Sequence, residues 1–133
     1  MRIRIRLSAD ADQLAIARAA LEEWAWPQLA GRPALVDDLV IVANELCSNA
    51  IRHGDAPITV TAALHGARVR ISVSNRTESP ALIRPSGTTG RLDPGGRGLL
   101  VVAQLAQAWG WSSGRGTTLV WAELGAGSGG TRG

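Results

Sequence analysis

The sequence contains no lysine, no tyrosine and no phenylalanine, and it has one cysteine. A single thiol cannot close an internal disulfide and cannot build a cysteine metal site. Cys47, on the apolar side of a helical segment, therefore reads as a small core hydrophobe. With lysine absent, every cationic side chain except the two histidines is an arginine, and these are scattered from Arg2 to Arg132. The net charge is only +3. A nucleic-acid surface calls for clustered cations, often beside stacking aromatics, and none of the five tryptophans sits inside an arginine run. No direct nucleic-acid binding is expected. Apolar runs of the ~18 residues a membrane helix needs are missing too. The first residues, Met-Arg-Ile-Arg-Ile-Arg-Leu, alternate charged and apolar types, unlike the continuous apolar stretch of a signal peptide. The expectation is a soluble cytoplasmic protein without membrane contact.

What is present is enough for one real core: 133 residues, 45% of them apolar. Residues 2–7 alternate with period two and predict a strand. Asp10 suits an N-cap with Gln13 as its capping-box partner. Leu14, Ala17, Leu21 and Trp24 then recur at helical spacing, up to a stop near Pro27. Pro33 suits the first turn of a second helix, which runs to about His53, with Gly54 just past its end. Residues 58–64 and 67–74 predict a hairpin turning at Gly66. Residues 76–96 are rich in proline and glycine without periodicity, which marks a lid, a binding loop or a disordered segment. A third helix is expected from Leu99 to Ala108. Strands at 108–112 and 117–124 close the domain around Gly114-Arg115-Gly116. This order predicts a two-layer α/β (α+β) sandwich, with a mixed, mostly antiparallel sheet and three helices on one face. The domain spans residues 1–124, and 125–133 form a flexible tail.

Several polar residues stand where chemistry is possible. On the second helix, Asp38, Glu45, Asn49 and Arg52 fall in one narrow stripe beside the apolar arc of Leu35, Leu39, Val42, Leu46 and Ala50. A carboxylate and an amide there can reach a ligand, or can be ordinary boundary residues. His53 lies on the apolar arc and reads as a satisfied core histidine ending the helix. In the strand at 67–74, Val69, Ile71 and Val73 share a face that Asn75 continues. An inward amide must be bonded to backbone, water or ligand, because an unpaired one costs a few kcal/mol. An Asx-turn is the alternative. Pro94-Gly95-Gly96-Arg97-Gly98-Leu99 opens directly onto a helix, presenting free N–H groups suited to phosphate. It lacks the Lys-Ser/Thr of a Walker A motif, and a glycine hinge is an equal reading. Trp24 and Trp26, near the end of the first helix, read as core packing or as a partner surface.

In combination these motifs resemble the nucleotide site of the GHKL superfamily, most closely the anti-sigma-factor serine kinases and actinobacterial regulatory ATP-binding proteins. Glu45-Leu-Cys-Ser-Asn49-Ala-Ile-Arg52-His53-Gly54 is similar to the N-box of that family. Gly95-Gly96-Arg97-Gly98-Leu99 is similar to its second glycine box, and Gly116-Thr117-Thr118-Leu119 to its third. The likeness spans roughly residues 10–124. It implies a Bergerat-type fold, ATP and Mg²⁺ as cofactors, and a catalytic Glu45 that orients or activates a hydroxyl. It implies Asn49 as the metal ligand, Arg52 near the phosphates, and Gly96, Arg97, Gly98 and the N–H of Leu99 cradling them. Asn75 and Thr117 would lie on the adenine side. The implied partners are a sigma factor and/or a small anti-sigma-factor antagonist phosphorylated on serine or threonine, together with a second copy in a homodimer. The chain departs from the family at Asn75, where an aspartate is usual. An asparagine carbonyl accepts the same hydrogen bond but carries no charge. A partner-binding module with weak or lost nucleotide binding is therefore the alternative function.

Overall fold

The computed structural model describes residues 1–53, 55–76 and 98–125. The elements in chain order are β1 (Arg2–Leu7), α1 (Gln13–Gln28), α2 (Pro33–His53), β2 (Asp55–His65), β3 (Arg68–Arg76), α3 (Gly98–Leu105), β4 (Ala108–Gly114) and β5 (Thr117–Leu124). The strands form one sheet in the order β1-β2-β3-β5-β4, and every described pairing is antiparallel. The three helices pack in a single layer, with α2 between α1 and α3 and against β2, β3 and β5. This is the expected α+β sandwich.

Register explains where the core sits. Strand alternation puts successive apolar rows against the helices, Leu64, Val69 and Leu124 forming one of them. Another row runs Ile5, Val60, Val73, Val120, Trp111, and the next runs Ile3, Ala62, Ile71, Ala122, Trp109. Helix α2 supplies the opposing surface through Leu35, Val36, Leu39, Val42, Ala43, Leu46, Cys47 and Ala50, all buried. Beyond the Ile5 row lies a further one: Leu7, Ile58, Asn75, Thr118, Ser113. At this end of the sheet the inner face changes from apolar to polar between β2 and β3.

Element boundaries differ from expectation in several places, β3 running on to Arg76 and β4 to Gly114 among them. Asp10 is not the cap of α1: the N-cap is Asp12, in helical geometry and without a side-chain cap bond. Asp10 instead accepts the Gln13 N–H through its main-chain oxygen, so the turn forms without a capping box. Helix α1 runs through Pro27 to Gln28: the missing Pro27 N–H falls on the exposed side of the helix, where water can reach the Glu23 C=O, and Leu29 N–H still bonds Ala25 C=O. Strand β2 starts at Asp55, with the register shift between Asp55 and Ile58 accommodating Pro57. Helix α3 ends at Leu105 rather than Ala108, since Gln107 N–H is drawn to Glu123 C=O and the chain enters the sheet.

The hairpin turns follow the expected chemistry. Gly66 has φ +62°, and the β4–β5 turn holds Arg115 and Gly116 at φ 56° and 75°. Positive φ at both central positions matches the right-handed strand twist. No described helix is long and apolar enough to cross a membrane, which says nothing about β-barrels.

Candidate functional site

Among the described residues three polar side chains are buried: Asn49 (5% exposed), Asn75 (6%) and Thr118 (1%). Two of them, Asn75 and Thr118, are direct partners across the β3–β5 ladder. The third sits on α2, which packs against both strands. A domain whose interior is otherwise apolar thus places its buried polar groups on the layers that face each other.

Each is held differently. Asn75 donates from Nδ2 to the Arg76 main-chain oxygen at 2.7 Å. This is not an Asx-turn, in which the side-chain oxygen accepts. Because a carbonyl takes only a donor, the bond also fixes which end of the amide is nitrogen and makes Oδ1 the acceptor end. Thr118 Oγ1 lies 3.1 Å from Ser113 Oγ. Asn49 Oδ1 is buried and has no hydrogen-bond partner among the described residues. A buried acceptor in that condition costs about 1–3 kcal/mol, and such groups are rare in folded domains.

The remaining α2 residues grade outward along the stripe. Glu45, one turn before Asn49, is half-buried and engaged in a polar interaction. Arg52 is exposed and donates to Ser48 Oγ at 3.2 Å. Asp38 parts from this group. It lies eleven residues before Asn49, about 16 Å along the axis. It lines a groove of ≈440 Å³ with Arg32, Gln104, Leu105, Leu124 and Gly125. Burial first, and the neighbouring Asp37 second, push its carboxyl above the usual carboxylate range.

Helix α3 begins at Gly98, and Leu99 is buried (2% exposed), so its side chain anchors the helix start in the core. The N–H groups of that first turn have no intrahelical acceptor. Gly96, Arg97, Gly54, the 77–96 part of the loop and the tail from residue 126 lie outside the described residues, as does the His53 side chain. Thr117 is exposed, and the inward side chain of the pair is Thr118. Counting by two back from Leu124, Ala122 and Val120 finds Thr118, a signal present in the sequence. Trp24 packs on the core, whereas Trp26 is 46% exposed. No group of three or more His, Cys, Asp or Glu suited to a metal occurs among the described residues. A metal here would rest on amide oxygens and on the ligand's own oxygens.

These features meet in one family. The sequence profile described as the histidine kinase-like ATPase domain matches residues 7–123, and the chain belongs to that family. Among solved structures it is similar to the RsbU and RsbW domains of Rv1364c from Mycobacterium tuberculosis, with 26% identity and a TM-score of 0.69. That match covers 93% of this chain and 32% of the other, so the chain spans about a third of that structure's length. It also shares its fold with the Acinetobacter baumannii histidine kinase AdeS, at 10% identity and a TM-score of 0.54, covering 93% of this chain and 68% of that one. No curated protein matches.

Proposed function

We propose that the protein binds Mg-ATP at the polar end of the helix–sheet interface and phosphorylates a serine or threonine of a small anti-sigma-factor antagonist. The observation that carries this reading is the Asn49 Oδ1 atom on the N-box helix, a buried acceptor without a partner among the described residues. A neutral amide oxygen is a hard donor of the kind Mg²⁺ accepts alongside water and phosphate oxygens. When bound, the ion would neutralise charge on the phosphates during transfer.

The other residues take roles consistent with their positions. Asn75, with its nitrogen spent on Arg76, offers Oδ1 to the adenine amino group, and Thr118 beside it completes the polar row. Thr117, exposed at the strand start, stands at the outer rim of that region. Gly98 and Leu99 present first-turn N–H groups to the phosphates. Gly96 and Arg97 join them on motif grounds. Arg52, one turn beyond Asn49 and solvent-exposed, pairs with phosphate charge. Glu45 orients the attacking hydroxyl and accepts its proton as the new P–O bond forms and ADP departs.

The test is transfer of labelled phosphate from γ-labelled ATP to a candidate antagonist. Glu45→Gln should retain ATP binding and lose about 10²–10⁴-fold in transfer rate, the usual contribution of a positioned base. A variant that transfers at the parent rate removes Glu45 from the chemistry.

A second reading has its own support. Asn75 lacks the charge that strengthens a hydrogen bond roughly twofold, which favours a module that sequesters a sigma factor or another partner with little nucleotide binding. In that case both the parent and Asn75→Asp would fail to bind ATP while partner binding persists.

A further inference from the structure

The sheet's outer face collects arginines that are dispersed in sequence. Alternation places Arg2, Arg4 and Arg6 of β1 and Arg68, Arg70 and Arg76 of β3 on the side away from the helices. The two groups differ in their surroundings. On β3, Arg70 and Arg68 meet Glu123 at 3.0 and 3.4 Å, Arg70 also lies 4.2 Å over the Trp121 ring, and Arg76 is paired in register with Asp55. On β1, Arg2, Arg4 and Arg6 stand opposite Ala63, Thr61 and Thr59, which carry no charge. All three are exposed, and no ion pair among the described residues involves them.

Strand β1 is also an edge: among the described residues it pairs with β2 alone. Its free side offers main-chain groups to another strand. A second copy of β1 fits poorly, because antiparallel pairing would set arginine beside arginine, and like charges directly opposite destabilise a sheet. An acidic strand fits well. Residues i, i+2 and i+4 of an extended chain recur every ~7 Å, the same pitch as Arg2, Arg4 and Arg6. Its alternate side chains would fall beside half-buried Ile3 and Ile5 on the helix face.

We propose that β1 is a docking edge for an extended acidic segment of a partner protein, carrying Asp or Glu at every second position with apolar residues between. The segment adds as a sixth strand, its main chain giving affinity and its carboxylates reading the arginine row. Nucleic acid is a poorer occupant. Trp121, the aromatic side chain on this face, is already covered by Arg70, so no open stacking platform stands beside the cations. This inference is independent of nucleotide binding.

The probe is a fluorescein-labelled nine-residue peptide of alternating glutamate and valine, followed by fluorescence anisotropy. The controls are a peptide of the same composition with its glutamates in one block, and an alternating peptide N-methylated on the amides facing the edge. The Arg2→Gln, Arg4→Gln, Arg6→Gln triple variant should weaken binding about tenfold, the sum of three exposed charge pairs. The Arg68→Gln, Arg70→Gln variant should change it less than about twofold, since those arginines already hold Glu123. Both variants alter exposed or partly exposed side chains, and circular dichroism verifies their fold. The two control peptides should bind far more weakly than the alternating one. Equal binding of the block peptide, no binding of the alternating peptide, or tighter arginine-dependent binding of a fifteen-nucleotide oligothymidylate would each overturn the proposal.

Discussion

Asn75 and Thr118 face one another across the β3–β5 ladder, both nearly sealed from solvent, in a row of the sheet whose neighbours toward the core are Val73 and Val120. One step along each strand, the inner face changes from hydrocarbon to hydrogen-bonding groups. That change marks the proposed base-recognition end of the site, and the neutrality of Asn75 is its most consequential feature.

Asn75→Asp should tighten Mg-ATP binding several-fold, because a carboxylate makes a hydrogen bond about twice as strong as an amide oxygen does. The same change should lower the melting temperature of the ligand-free protein. A buried carboxylate loses the donor bond to Arg76 C=O and is costly to desolvate. Isothermal titration and thermal unfolding together check both signs.

Asn49→Leu should separate stability from function. It replaces a buried acceptor, unpartnered among the described residues, with hydrocarbon of similar size, relieving a cost of about 1–3 kcal/mol. Its ligand-free melting temperature should equal or exceed that of the parent, while the response to Mg-ATP disappears. A variant that unfolds more easily yet still binds Mg-ATP would show that Asn49 is structural.

Much of this was legible in the sequence. Period two in residues 2–7, 69–75 and 120–124 specified the inner face of the sheet, and the 3.6-residue period specified α2. Inward-facing Asn75 followed from Val69, Ile71 and Val73 alone. The inward turn of Thr118 was readable by alternation from Leu124, Ala122 and Val120, whereas motif likeness named Thr117 for the adenine side. One thing was hidden. The arginine cluster was invisible because it is assembled by pairing β1 with β2 and β2 with β3, bringing residues 2–6 and 68–76 onto one surface. Scatter along the chain is no guide to scatter on a sheet. The Asp10 cap failed for a local reason: its main-chain oxygen took the Gln13 N–H, and the helix began two residues later.

Cys47 should be inert to thiol reagents in the native state. Burial raises its thiol from the ordinary 9.0 to about 12, so at a given pH near 8 its thiolate population is about a thousandfold below that of an unfolded thiol. The sign for stability follows. The neutral thiol is favoured in the fold, so its contribution is intact below pH 9 and declines as pH rises from 9 toward 12, where the unfolded chain ionises first. Reaction with a chromogenic disulfide, with and without denaturant, measures the contrast.

Gly110→Ala should destabilise the domain by about 1–3 kcal/mol, the usual cost of overpacking. A Cβ at this position would lie 2.9 Å from the Trp121 ring. The ring cannot retreat freely, because Arg70 covers it. Denaturant titration gives the magnitude. A Gly114→Ala control, where a Cβ meets nothing within 4 Å, should have a much smaller effect.

The most direct measurement is thermal unfolding of the parent protein and of Asn49→Leu, each with and without millimolar Mg-ATP. A ligand at about a hundred times its Kd stabilises the native state by about 2.7 kcal/mol, which for a domain of this size corresponds to a rise of more than ~5 °C. Such a rise is expected in the parent and not in the variant. An unchanged melting temperature in the parent, or an equal rise in both proteins, would contradict a nucleotide site built on Asn49.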